Sequence, residues 1–472
     1  MDEYDEAADV GDADPAVLAA RLDDADPLST FTDRYHVPED VVYMDGNSLG
    51  PASDAALTSL DRVVDEWRDL LIAGWTDADP PWFTVGERLG DALAPLIGAD
   101  PSEVVVGNSI TVNIHTLVGT FLDELLAGNG PDREGVAAAD GMWGSVDGSS
   151  PGSAADTGPG SAADTDPAVL VNELDFPSDH YAIRAQLRQR GIDPDEKLRV
   201  VPSRDGRTID PRDIEAALET HDDIGIVWMP TALYRSGQLF DVDRIAEAAH
   251  EAGAYVGFDA AHSVGAVPHD FDEAGVDFAT WCTYKYLNAG PGSIGALYVA
   301  ERHHGLTPAL AGWWGHEKAT QFEMNMTYTP AGSAGAWQIG TPPLFAAAPL
   351  EGSIELLRDA GIERLREKSL ALTDFLIALV DDRLPAVSIG TPRERDARGG
   401  HVALEHPAAE RLSEALKDRG VVVDFRPPNV VRVCPAAPYT SFADVLAVVD
   451  ELEAILESGA HERYATNEGG VT

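Results

Sequence analysis

The run IGIVWMPTALYRSGQLFDVDRIAEAAHEAGAYVGFDAAH spans residues 224–262 and decides the fold. IGIVWMP is an unbroken apolar stretch of strand length, DVDRIAEAAHEAG carries its apolar residues at helical spacing, and AYVGFDAAH is apolar again. Working outward, AVLVNEL, KLRVVPS, FATWCTYK and GALYVAE extend the strand series. SDHYAIRAQLRQRG and DPRDIEAALET supply further helices. Strands alternating with helices over this length predict an α/β fold with a mostly parallel, doubly wound sheet.

Upstream, SEVVVGNS reads as a strand ending in a turn, and TVNIHTLVGTFLDELLAG as the helix after it. Helical spacing also marks residues 54–71, and DPAVLAARLDDADP is a short helix with Asp14 as N-cap and Pro15 in its first turn. Past about residue 320 the spacing loosens. A long helical region near 350–382, the strands HVALEH and VVVDFR, and a last helix from Ser441 predict a smaller α+β C-terminal domain. The expected organisation is an acidic disordered tail at 1–14, an N-terminal segment at 15–60 packing on the small domain, a large cofactor-binding domain at 61–320, and the small domain at 321–472. Within the large domain, the tandem PGSAADTG and PGSAADTD mark a low-complexity insertion at 128–167, expected to be flexible because it lacks apolar surface.

The chain has 472 residues, 81 acidic against 33 basic side chains and a formal charge of −48. A field of that sign repels phosphate backbones and anionic membranes, so no nucleic-acid or membrane partner is expected. An acidic chain that prefers Arg to Lys resembles proteins of salt-accumulating archaea, which suggests a halophilic source. Two cysteines, Cys282 and Cys434, exclude a disulfide framework and fall short of a structural zinc set, so no metal is expected. The N-terminal residues show neither a basic n-region nor an apolar core, and the expected location is the cytoplasm.

Lysine occurs only at 197, 285, 318, 368 and 417. Lys285 stands in WCTYKYLNAGPGS at a strand end, flanked by tyrosines and followed by glycines. A primary amine forms an imine with an aldehyde and a guanidinium does not, which gives a reason for lysine at this point. An ordinary surface lysine is the alternative. Asp259 ends the strand AYVGFD, at the edge where open parallel sheets bind ligands. A pyridoxal cofactor needs an amine for its aldehyde and a carboxylate to keep its ring nitrogen protonated, and Lys285 with Asp259 supply both. Taken alone, Asp259 reads more simply as a helix N-cap and His262 as a packed histidine, and it is the pair Asp259 and Lys285 that points to the cofactor. Ser109 and Thr111 open a helix suited to a phosphate, although N-caps look the same. Phe176 at a strand end is placed to stack on a flat ring, or simply to pack. Arg432 inside the apolar strand NVVRVCP needs an anion, either a structural partner or a substrate carboxylate.

Together, YMDGNSLGP (43–51), NSITVNIH (108–115), FPSDHYAI (176–183), GFDAAHSVG (257–265), WCTYKYLNAGPGS (281–293), GWWGH (312–316), IGTPP (339–343) and VVRVCPAAPYTSFADV (430–445) resemble the kynureninase family, of pyridoxal-phosphate fold type I. The resemblance covers most of the chain outside the acidic tail and the insertion. It implies hydrolytic Cβ–Cγ cleavage of L-kynurenine to anthranilate and L-alanine in tryptophan catabolism, with a link to NAD biosynthesis. It further implies Lys285 as the anchor for pyridoxal 5′-phosphate, Asp259 as the ring-nitrogen partner and Tyr284 as an aid to proton transfer. Ile110, Thr111, Phe176, Pro177, Ser178, Asp179, His262 and Tyr284 are implied around the cofactor. Trp313 and Thr341 are implied to reach it from the second subunit of a homodimer. Arg432 is implied to hold the substrate carboxylate, with Asn47 and Ser48 nearby, and Trp75 and Thr341 to bear on substrate choice. DAAHS stands where the family often has DLAHA, and the insertion is longer than usual. A cysteine desulfurase or class V aminotransferase shares the Asp–His–Lys pattern, and a non-catalytic pyridoxal-binding scaffold is a further alternative.

Overall fold

The computed structural model describes residues 4, 6–8, 10, 14–131 and 166–465. In chain order the strands are β1 (Val42–Tyr43), β2 (Val104–Val106), β3 (Ala168–Asn172), β4 (Leu198–Val201), β5 (Ile224–Pro230), β6 (Tyr255–Asp259), β7 (Phe278–Cys282) and β8 (Gly295–Val299). The C-terminal part adds β9 (Ser388–Ile389), β10 (Val402–Glu405), β11 (Val421–Val422), β12 (Asp424–Arg426) and β13 (Val430–Val433).

The main sheet has the order β2-β8-β7-β6-β5-β3-β4. Pairing is parallel from β4 through β3, β5 and β6 to β7, while β8 runs antiparallel between β7 and β2. Every residue of β3, β5, β6, β7 and β8 is buried, because helices cover both faces of the sheet. That double cover is why these strands read as continuous apolar runs instead of alternating ones. The C-terminal sheet is antiparallel, in the order β12-β13-β10-β9, and sets Arg432 opposite Asp424.

The structure corrects the expected organisation at three points. Tyr4, Ala7 and Val10 are not in a disordered tail. They are buried with Leu18, Leu22, Phe375 and Val445 in the C-terminal core, and the Tyr4 hydroxyl donates to Asp26 Oδ1 at 2.7 Å. Burying such side chains is worth roughly 1–3 kcal/mol each. The large unit also runs well past residue 320. Helix Leu344–Ala360 packs on helix Asp54–Leu70 and places Leu350, Ile354 and Leu357 in the core of Leu89, Val104 and Phe258. Thirdly, the single long helical region is two helices, Leu344–Ala360 and Ile362–Arg383, parted at Gly361 with φ +81°. Only glycine adopts that backbone without strain. Most of the expected insertion at 128–167 lies outside the described residues.

The N-terminal segment bridges the two units. β1 pairs in parallel with β11, and the following loop 44–50 crosses to the large sheet, where Gly50 N–H donates to Tyr284 O at 2.8 Å. A Cβ on Gly50 would stand 2.0 Å from Asn288 Oδ1 and 2.7 Å from Lys285 O. The close approach therefore requires glycine, and it brings Asn47 and Ser48 to the sheet edge.

Candidate active site

The C-terminal ends of β3, β5, β6 and β7, the start of helix Ile110–Leu126 and loop 44–50 surround a cavity of about 270 Å³. Open α/β sheets bind ligands at this edge because strand ends and helix N-termini converge there. Lys285 lies three residues beyond β7, with Nζ 2.9 Å from His262 Nε2. Burial, aided by the Lys285 cation, holds the His262 pKa well below its ordinary value. The imidazole is therefore neutral and accepts from the ammonium.

Asp259 is the last residue of β6, and its Oδ1 accepts from Ala261 N–H at 2.9 Å. Beside it in hydrogen-bond contact is Asp179, from the first turn of helix Pro177–Gln189, which also accepts from Trp228 Nε1 at 3.1 Å. Burial raises both carboxyl pKa values; Lys285 partly offsets the rise at Asp259, while Asp259 adds to it at Asp179. Two buried carboxylates in contact do not both ionise, so the pair retains a proton at neutral pH.

Helix Ile110–Leu126 begins after Ser109, whose side chain makes no capping bond, leaving first-turn N–H groups at the cavity beside Ile110 and Thr111. Ser178 lines the same wall. Phe176 is 46% exposed at the rim and meets Tyr234 edge-on at 5.3 Å between centroids. The Tyr284 hydroxyl bonds to the Cys282 thiol, and burial keeps it a protonated phenol. On the opposite side, Arg432 binds Asp424 through Nε at 2.7 Å and through Nη2, Ser48 Oγ at 2.9 Å, and Tyr234 O at 2.6 Å.

These residues fit pyridoxal 5′-phosphate. An amine meets the aldehyde, a proton-holding carboxylate pair suits the ring nitrogen, an uncapped helix start suits the phosphate, and an aromatic ring lies at the edge. The cavity thus gathers Asn47, Ser48, Ile110, Thr111, Phe176, Ser178, Asp179, Asp259, His262, Tyr284, Lys285 and Arg432. Pro177 opens the helix after Phe176 without lining the cavity. Trp75 and Thr341 line a different depression, with Trp67, Leu71, Ile72 and Phe345, and Trp313 is 45% exposed against Trp314 and Phe322. Within one chain these three do not reach the cavity.

Sequence reasoning missed Tyr234, Asp424 and Arg426. The last two were readable as charges at alternate positions of the apolar strand VVVDFR; Tyr234 sits in a loop without period. Cys282 and Cys434 are buried, and burial pushes the Cys434 thiol up to about 12. Neither is the exposed thiolate that a desulfurase needs.

The profile described as "Kynureninase C-terminal domain" matches residues 365–452. A kynureninase of Geobacillus thermodenitrificans is 43% identical over 450 residues, 95% of this chain and 96% of that one. One from Bacillus thuringiensis subsp. konkukian is 43% identical over 448 residues, 94% and 95% of the two chains. Among solved structures, the apo cysteine desulfurase of Thermococcus onnurineus superposes with TM-score 0.71 at 17% identity, covering 91% of this chain and 98% of that one. A cysteine desulfurase of Escherichia coli gives 0.69 at 17%, with the same coverage. These two likenesses establish the shared fold-type-I architecture, and the sequence relatives carry the finer assignment: the chain belongs to the kynureninase family.

Proposed function

We propose that this protein is a pyridoxal-phosphate-dependent kynureninase, cleaving the Cβ–Cγ bond of L-kynurenine with water to give anthranilate and L-alanine. The observation that carries the reading is the convergence of Lys285, the Asp259–Asp179 pair and the Arg432 cluster on one cavity, in a chain 43% identical to kynureninases. Bound pyridoxal phosphate supplies an aldehyde for the substrate amine and a protonated ring that takes up the electron pair of the Cα–H bond. Asp259 and Asp179 hold the proton at the ring nitrogen. Lys285 Nζ would anchor the cofactor aldehyde and, as a free amine, would accept the Cα proton. Neutral His262 accepts a hydrogen bond from the amine and steers it. Tyr284, a protonated phenol, donates to the developing oxyanion or leaving carbon. The arginine cluster holds the amino-acid end so that the Cα–H bond stands upright on the ring.

A homodimer with shared active sites is part of the same reading. Trp67, Leu71, Ile72 and Phe345 are solvent-exposed around a groove of about 390 Å³, with Ile72 81% exposed. An apolar patch of this kind on a highly charged surface marks an interface. A second copy covering it brings Trp313 and Thr341 to the partner's cavity. Trp75 and Thr341 offer an indole and a small hydroxyl to the substrate ring, which favours kynurenine over 3-hydroxykynurenine. The acidic composition and the absence of any helix long and apolar enough to cross a membrane among the described residues support a salt-adapted cytoplasmic enzyme of tryptophan catabolism, with NAD biosynthesis as an alternative route.

The test mixes purified protein, pyridoxal phosphate and L-kynurenine in concentrated salt and follows anthranilate fluorescence. Anthranilate release is expected. Folded protein that releases none, yet transfers the amino group to pyruvate, overturns the reading in favour of an aminotransferase.

A further inference from the structure

His262 takes the Lys285 amine on Nε2 at 2.9 Å, and its ring is neutral, so its one proton sits on Nδ1. That nitrogen is buried and has no hydrogen-bond partner among the described residues. A buried donor left unmet is costly, and moving the proton to Nε2 relieves the cost. The acceptor that faces Lys285 is then lost. A second group is needed to keep the proton on Nδ1 while the amine works.

His401 is placed for that task. It stands one residue before β10, in the C-terminal unit, and packs its ring against His262 at 5.8 Å between centroids, tilted by 63°. It is 1% exposed, and neither ring nitrogen makes a well-formed hydrogen bond among the described residues. Burial, with the Arg432 cation second, lowers its pKa to about 3, against a smaller pull from Asp424 and the Arg235 backbone. The ring is therefore neutral and keeps one nitrogen as an acceptor. Its backbone is pinned to the large unit. Gly399 N–H donates to Gly237 O at 2.8 Å, Gln238 bridges to Arg398, and a Cβ on Gly237 would stand 2.6 Å from His401 O. His401 does not itself line the cavity.

We propose that His401 is a positioning residue: it accepts a hydrogen bond from the His262 Nδ1–H, by a small turn of the ring or through one water, and so keeps the Nε2 lone pair on Lys285. This rests on Lys285 being the base of the function above, and adds a residue that the resemblance does not assign. Two histidines in series, one from each unit, then hold the free amine. The C-terminal unit acts in this way on the proton transfer without touching the substrate. A histidine that only packed would move folding and binding together; this one moves the rate of proton transfer and spares binding.

The experiment places pyridoxal-phosphate-loaded wild type, His401→Leu and His401→Gln in D2O with L-alanine. NMR follows exchange of the Cα hydrogen, and cofactor absorbance gives the L-alanine affinity. His401→Leu is expected to slow exchange by about 10- to 100-fold, while affinity changes by less than about threefold. His401→Gln, whose amide oxygen still accepts, is expected to exchange within about fivefold of wild type. His401→Met, unbranched and adaptable, replaces the leucine variant if that one does not fold. Unchanged exchange in the apolar variant, or exchange and affinity falling together, overturns the proposal, as does a glutamine variant as slow as the apolar one. Wild type that exchanges nothing overturns this proposal together with the role of Lys285. Wild type that exchanges the hydrogen yet releases no anthranilate from L-kynurenine removes the kynureninase reading alone.

Discussion

About 270 Å³ of space beside Lys285 is walled by an amine, an imidazole, two carboxyls, paired guanidiniums and a helix start; about 390 Å³ beside Trp75 is walled by Trp67, Leu71, Ile72, Trp82 and Phe345. In the first, Lys285, Asp259, Asp179 and Arg432 each have a protein partner. In the second there is almost nothing polar to satisfy, and Trp67, Leu71, Ile72 and Phe345 face water. Polar, enclosed walls recognise a small charged molecule; an open apolar wall is stabilised by another protein surface. The comparison teaches that this chain completes its chemistry in one place and its architecture in another.

The largest effect that breaks the comparison is at Lys285. Lys285→Ala is expected to lower turnover by about 10⁴-fold or more, with borohydride no longer fixing cofactor to the peptide around residue 285. Full turnover by that variant would remove the amine from the chemistry. Next comes the groove. Ile72→Asp combined with Phe345→Asp buries charge in any apolar contact, so sedimentation should report a monomer and activity should fall by about 100-fold. A fully active monomer would show that the groove contributes nothing to the cavity.

A third test sharpens the cavity side. Burial, with Asp424 second, raises the Asp45 carboxyl to about 6. A folded pKa above the unfolded value gives a contribution that is intact below the unfolded pKa and is lost as pH rises through 6. Ionised Asp45 therefore costs about 3 kcal/mol at pH 8 and less toward pH 5. Asp45→Asn should raise Tm at pH 8 and gain progressively less as the pH falls; an equal gain at both values would mean that Asp45 does not titrate between them. The smallest effect is that of salt. With 81 acidic side chains against 33 basic, raising KCl from 0.1 to 3 M should raise Tm by several degrees through screening of self-repulsion, and should not dissociate the proposed dimer. Dissociation would assign the interface to ion pairs instead of the apolar groove.

Much of the main sheet was legible in the sequence. β3 and β5 to β8 lie where the apolar runs predict them, because a strand buried on both faces has no polar positions to blur its ends. Asp14 caps its helix as expected, accepting from Ala16 N–H at 3.0 Å. Lys285 and Asp259 were legible because each is costly in an apolar strand end unless it has a task. The docking of Tyr4 and Val10 was not, since an acidic stretch masks three apolar residues whose partners lie some 370 residues away. Arg426 was missed because a charged residue at a strand end has an ordinary explanation, a solvated edge, until its neighbours are known.

The sequence by itself determined the α/β alternation, the scarce amine and the carboxylate that answers it, because backbone periodicity and functional-group chemistry are local properties. Only the tertiary structure decided that Asp424 occupies Arg432, that Arg426 lines the cavity, and that Trp75 and Thr341 share an outward groove. The bond from Arg432 to Ser48 joins residues 384 positions apart. Which charge neutralises which is a property of distances between strands, and no spacing along the chain encodes it.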